Sequence, residues 1–169
     1  MSFAALTSAM VVRQDAAPDW RHFDLPQILY FNTLVLLASS ATLEWSRRRI
    51  AAIRGGTGSL VPPLQGVSGL YITLALGLLF VTGQVIAWRQ LAAQGLFLAT
   101  APSSAFFYLF TALHGVHLVG GLGGLVYVLS RLRPTVSPVR PAPLGAAALY
   151  WHFMDGLWLY LLVILATRV

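Results

Sequence analysis

Two short patterns place chemically capable side chains inside an otherwise apolar chain: His152-x-x-Asp155 in "ALYWHFMDGLWLY" and His114-x-x-His117 in "LFTALHGVHLVGG". On a helix, an i, i+3 spacing puts both members of a pair on one face. Imidazole and carboxylate groups so placed can ligate a metal or a haem iron, carry protons, or hydrogen-bond across a helix interface. The chain has no cysteine, which removes thiolate ligands, a thiol nucleophile and disulfides. No phosphate loop, nucleophile triad or paired carboxylates is evident in the sequence.

The segments that carry these residues are membrane spans. Of 169 residues, 57% are hydrophobic and 9% charged, against about a quarter charged in an ordinary soluble domain. No Asp, Glu, Lys or Arg occurs from Gly55 to Trp88 or from Gln90 to Ser130, and each stretch exceeds the roughly 20 residues that cross a hydrocarbon core. The apolar residues come in blocks and do not alternate, which excludes a barrel. All eleven basic residues are arginines just outside those blocks. The net charge of +6 is therefore explained by topology, and no nucleic acid is expected as a partner.

The expected fold is all-α, a polytopic membrane protein with four transmembrane helices. The first span covers about 26–45, opened by Asp24-Leu25-Pro26 and closed by Arg47-Arg48-Arg49. The second covers about 63–88, the third 103–129 and the fourth 144–167. The linker "RPTVSPVRPAP" is too rich in proline to continue the third helix. Residues 25–169 form the bundle. Residues 1–24, without the basic start of a signal peptide, read as an interfacial or disordered tail.

Arginine placement orients the bundle. The loops after spans one and three hold Arg47, Arg48, Arg49, Arg54, Arg131, Arg133 and Arg140, and the opposite side holds Arg13, Arg21, Arg89 and Arg168. The richer side is expected to be cytoplasmic. Both termini then face the periplasm, and the membrane is of the bacterial inner, cytoplasmic type.

A rise of about 1.5 Å per residue places His114 roughly 16 Å and His117 roughly 21 Å below the start of span three. The same rise puts His152 roughly 12 Å and Asp155 roughly 16 Å above the start of span four. In a core of about 30 Å, His117 comes level with His152 and His114 with Asp155. The four can meet if spans three and four are neighbours. Gly115, Gly120 and Gly124 allow another helix to come close, and Asn32, Thr33, Ser39, Ser40 and Gln84 suit helix-to-helix hydrogen bonding. Three readings of the polar level stay open: mutual satisfaction that pins two helices, a role with protons or lipid headgroups, and haem or metal ligation. In the last, His117 and His152 would bracket an iron as in b-type cytochromes. Glu44 is expected to snorkel to arginine at the end of span one.

Three segments resemble helices of subunit III of the haem-copper respiratory oxidases, the cytochrome c oxidase subunit III family. "YWHFMDGLWLYLLV" is similar to that family's final helix, with its Trp-His-Phe-x-Asp-x-x-Trp pattern. "FFYLFTALHGVHLVGGLGGLVYVLSRL" resembles the preceding helix, with a His-Gly-x-His pattern followed by small residues, and "LPQILYFNTLVLLASSATLEW" resembles an earlier one. The resemblance covers about Leu25 to the C-terminus and follows the order of the family's last four helices.

The resemblance implies a non-catalytic accessory subunit, packed on the catalytic subunit I and other respiratory-complex subunits and in contact with membrane lipids. It implies stabilisation of the core and help with oxygen or proton access. It implies no cofactor in this chain, with haem and copper in partner subunits. His114, His117, His152 and Asp155 would form the polar core of the bundle, with no catalytic or metal-binding residue. Family members have seven helices, or five when shortened. The first three, with a membrane glutamate on the third, find no counterpart here, so another chain is expected to supply them. Related subunits accompany nitric oxide reductases and quinol oxidases, which stand as alternatives beside the b-type cytochrome.

Overall fold

The computed structural model describes residues 2–16, 26–54, 63–99, 101–131 and 141–168. Five helices follow in order: α1 (Ser2–Ala16), α2 (Ile28–Arg54), α3 (Pro63–Ala93), α4 (Pro102–Arg131) and α5 (Pro141–Arg168). Four of them are long and apolar enough to cross a membrane, over Ile28–Ala52, Val67–Ala93, Pro102–Ser130 and Pro143–Arg168.

The four long helices close a ring: α2 packs on α3, α3 on α4, α4 on α5 and α5 back on α2. Large rings fill the middle. Trp151, Trp158 and Phe80 are buried, and Phe80 meets Trp158 edge-on at 4.9 Å between centroids. Outward-facing side chains such as Leu34, Val116, Leu149 and Val163 remain exposed. Less than half of each span is buried within the chain, so the remaining apolar surface belongs to lipid or to other protein.

The closest packing, α2 on α3, follows from a seven-residue repeat of small polar residues. Asn32, Ser39 and Ser46 recur along one face of α2 and are buried. They lie against Gly83, Thr73 and Gly69 of α3: a Cβ added at Gly83 would overlap the Asn32 carboxamide, and one at Gly69 would overlap the Ser46 hydroxyl. The Thr42 and Thr73 hydroxyls bond at 2.8 Å in the same seam. Without a hydrophobic drive between helices in lipid, such close approach is what holds them.

Helix ends are set by local chemistry. α3 stops at Gly95, whose φ of +79° suits glycine. The Leu96 N–H donates to Leu91 O at 3.1 Å and the Gly95 N–H to Ala92 O at 3.0 Å, a Schellman closure. α4 opens with Pro102 in its first turn, and Ser104 Oγ accepts the Ala101 N–H at 3.3 Å. The Tyr108 hydroxyl donates to Leu96 O at 2.9 Å and fixes this turn against α4.

Three boundaries differ from the sequence reading, the first being α3, which runs past Trp88 to Ala93. α2 runs past Trp45 to Arg54, because arginines are good helix formers and the end of an apolar run is not the end of a helix. Residues 2–16, read from sequence as an interfacial or disordered tail, form α1, which lies along α4 with Met10 buried and the Phe3 ring 5.7 Å from that of His117. Its stretch "SFAALTSAMVV" carries no charge before Arg13, so it can lie against an apolar helix.

Candidate functional site: the polar seam between α2 and α5

α5 presents two tryptophans and two titratable residues to α2, and α2 answers each with an oxygen. The Trp158 indole donates to Thr33 Oγ1 at 3.0 Å, and the Trp151 indole to Ser39 Oγ at 3.0 Å. Ser40 Oγ bonds to Asp155 Oδ2 and lies 2.7 Å from His152 Nδ1. Glu44 Oε2 stands 3.8 Å from His152 Nε2. As the α2 partner moves from Thr33 through Ser40 to Glu44, the α5 partner moves back from Trp158 through Asp155 to His152. This is an antiparallel polar zipper. Thr33 and Ser39 also return their hydroxyls to Leu29 O and Leu36 O, at 2.8 and 2.6 Å, so they bridge without disrupting their helix.

Glu44 ends the seam on the arginine-rich side. Arg47 donates to it from Nε at 2.7 Å and from Nη2 at 2.8 Å, and Arg48 from Nε at 2.7 Å. Arg49 lies 5.2 Å from the centroid of Trp45. The carboxylate is thereby kept where water and arginine reach it, as expected from its place at the end of the apolar run.

The structure separates the four level residues. Among the described residues, His152 and Asp155 take their side-chain hydrogen-bond and ion-pair contacts from α2, and none of these runs to His114 or His117. His114 is fully buried between the rings of Phe80 and Trp158, at centroid distances of 5.9 and 5.1 Å, and neither ring nitrogen has a hydrogen-bond partner among the described residues. His117 Nδ1 bonds to Leu113 O at 2.7 Å on its own helix, and the Tyr150 hydroxyl of α5 donates to the His117 carbonyl at 2.8 Å. Equal depth therefore did not mean contact. Depth follows from counting residues, whereas rotation about the helix axis follows from packing.

The glycines are redistributed as well. A Cβ at Gly115 or Gly124 would meet nothing within 4 Å, and one at Gly120 only the Tyr150 hydroxyl at 3.7 Å. Gly115 lines an apolar groove of about 370 Å³ between α3 and α4, and Gly120 and Gly124 line another of about 560 Å³ between α4 and α5. Close approach falls instead on Gly69, Gly77 and Gly83, with a Cβ at Gly77 coming within 2.8 Å of Leu122 and 2.9 Å of Trp151. Asn32 lies in this close seam, buried against Gly83. The signal for it was legible as the repeat Asn32, Ser39, Ser46.

Chemically, Ser40, His152 and Asp155 are the residue types of a hydrolytic triad in a different order. The hydroxyl stands between imidazole and carboxylate, so Asp155 does not orient the imidazole and the serine is not poised as a nucleophile. The arrangement can hold two helices together and can hold or pass a proton.

A ring of four membrane-length helices, joined by buried polar seams and apolar outside, defines a polytopic α-helical membrane protein. Residues 14–167 match the family described as cytochrome c oxidase subunit III, and the chain belongs to that family. It is 38% identical over 140 residues to the probable cytochrome c oxidase subunit 3 of Mycobacterium leprae, a match covering 79% of this chain and 62% of that protein. It is 29% identical over 168 residues to cytochrome c oxidase subunit 3 of Synechocystis sp., covering 96% and 67%. Against the subunit 3 of Anopheles gambiae it is 34% identical over 138 residues, covering 81% and 48%. The chain thus spans about three fifths of the length of the mycobacterial relatives. These matches do not favour a b-type cytochrome.

Proposed function

We propose that this chain is an accessory, non-catalytic membrane subunit of a haem-copper terminal oxidase in aerobic respiratory electron transport. The observation that carries this reading is the family match over residues 14–167. The chain stabilises the catalytic subunit I and aids oxygen or proton access, with haem and copper held by partner subunits and none by itself. His114, His117, His152 and Asp155 are its structural polar core, and Asn32 ties α2 to α3. Gly115, Gly120 and Gly124 serve faces turned to partner helices or lipid, a reading supported by the open space around them within this chain. Residues 25–169 form the membrane bundle of a bacterial inner membrane, the C-terminus lies on the periplasmic side, and the tail of residues 1–24 belongs to that side with α1 dipping along α4 as far as His117. The distribution of arginines supports that orientation.

The test is to purify the tagged chain from its native membrane in mild detergent and to record a reduced-minus-oxidised spectrum before and after separation from its partners. Haem bands in the complex and a colourless isolated chain are expected. A Soret band that stays with the isolated chain and disappears in His117→Ala or His152→Ala would overturn the reading.

A further inference from the structure

The Ser40 hydroxyl carries one hydrogen and stands between two partners, Asp155 Oδ2 and His152 Nδ1, the latter at 2.7 Å. One hydrogen for two partners gives the line a direction. With Asp155 as the carboxylate, Ser40 donates to it and accepts the Nδ1–H of His152, which leaves His152 Nε2 with a bare lone pair. That nitrogen lies 3.8 Å from Glu44 Oε2, and since both are then acceptors, a water donating to each or a proton shared between them completes the line. His152 and Glu44 are 42% and 24% exposed in their side chains, whereas Asp155 is buried. Asp155 Oδ1 has no hydrogen-bond partner among the described residues, so Ser40 is the link that connects this carboxyl to anything titratable.

We propose that Glu44, His152 and Ser40 form a relay that exchanges one proton between the arginine-rich membrane surface and the buried carboxyl of Asp155. A proton arriving beside Glu44 bonds to His152 Nε2. The Nδ1 proton of the imidazole passes to Ser40 Oγ as the Ser40 hydrogen passes to Asp155 Oδ2. At the end, Asp155 is a neutral acid, Ser40 is again a hydroxyl, now donating to Nδ1, and His152 is neutral with its hydrogen on Nε2. One proton has entered, one positive charge has been neutralised by one carboxylate, and no heavy atom has been transferred. Release runs the same steps backwards.

The surroundings favour this line over a static pin. On α2, Arg47 and Arg48 hold Glu44 as an anion at the mouth. From α4, packed on the other side of α5, the titratable groups are His114, enclosed by the rings of Phe80 and Trp158, and His117, bonded to Leu113 O. On α5 itself, Tyr150 is bonded to the His117 carbonyl. None of these supplies a second hydrogen-bonded way to Asp155. The relay rests on these side chains alone and does not depend on which complex the chain joins.

The experiment is infrared spectroscopy of the full chain in lipid nanodiscs, following the C=O stretch of the protonated Asp155 carboxyl, assigned by its loss in Asp155→Asn. Its hydrogen-to-deuterium exchange is timed after a switch to D2O. Ser40→Ala is expected to slow that exchange at least about tenfold, Glu44→Gln to slow it less, and Ser40→Thr, which keeps a hydroxyl, to restore it. Helix content by circular dichroism verifies that each variant is folded. Exchange unchanged in folded Ser40→Ala overturns the relay. So does the absence of any protonated Asp155 band at every pH where the chain stays folded, since the carboxyl would then be a fixed anion. If Asp155→Asn fails to fold, isotope labelling of aspartate assigns the band in the wild-type chain.

Discussion

The Trp158 indole donates to the Thr33 hydroxyl at 3.0 Å while its ring packs against both Phe80 and His114. One side chain thus ties α2, α3, α4 and α5 together at the centre of the ring. Trp158→Phe keeps most of the ring contact and removes the N–H, and Thr33 still donates to Leu29 O. The expected cost is about 1 kcal/mol. Trp158→Ala leaves a cavity among aromatic rings and should cost about 3–5 kcal/mol. Equilibrium unfolding in mixed micelles separates the two, and equal losses would show that the hydrogen bond, not the ring, dominates.

Ser40 and Asp155 should behave as a unit. Ser40→Ala leaves a buried carboxyl with no described partner, at a cost of about 1–3 kcal/mol and more if it is charged. Adding Asp155→Ala to that variant should recover part of the loss, giving a coupling of about 1 kcal/mol or more in a double-mutant cycle. Additive losses would mean that the two are not energetically linked. In the assembled complex, Asp155→Ala is expected to lower the yield while the turnover of what assembles stays near normal, measured as oxygen consumption per haem.

Gly83 and Gly124 should respond in opposite directions to the same substitution. Alanine at Gly83 collides with the Asn32 carboxamide, and forcing the seam apart should cost about 1–3 kcal/mol. Alanine at Gly124 meets nothing within 4 Å, and removing a mid-helix glycine should stabilise the isolated chain by about 0.5–1 kcal/mol. Thermal unfolding of the two purified variants reads this directly. Loss of partner binding in Gly124→Leu, with the isolated chain intact, would mark that face as an interface.

Gly95→Ala isolates backbone strain. The residue has φ of +79° and a Cβ there would touch nothing, so the cost is conformational, about 1–2 kcal/mol. Asn, which tolerates the left-handed region, should cost less than Ala. Hydrogen exchange at Gly95 and Leu96 would report the loosened end of α3.

The four spans were legible because a bilayer demands long apolar runs, bounded in sequence by Pro26 and by the proline-rich linker after span three, whereas Arg47 to Arg49 mark the end of an apolar run and not of α2, which continues to Arg54. The spacing of the polar residues along each span was equally legible, because a helix rises by a constant amount per residue. The small-polar repeat of Asn32, Ser39 and Ser46 was present to be read, but its significance lay in the spacing of three residues that look ordinary one at a time.

What only the tertiary structure decided is which neighbour each polar group faces. His152 and Asp155 were level with the α4 histidines by arithmetic, yet they bond to Ser40 and approach Glu44, because the rotation of α5 about its axis is set by Trp151 and Trp158 filling the bundle centre. Gly115, Gly120 and Gly124 had the composition of a packing face, but the close approach went to Gly69, Gly77 and Gly83, where α2, α4 and α5 supply complementary side chains. The sequence by itself determined a four-span membrane chain and the order of the polar residues along each span. Rotation, and with it the identity of each partner, is a property of the packed ring, since one helix carries no information about where its neighbours stand.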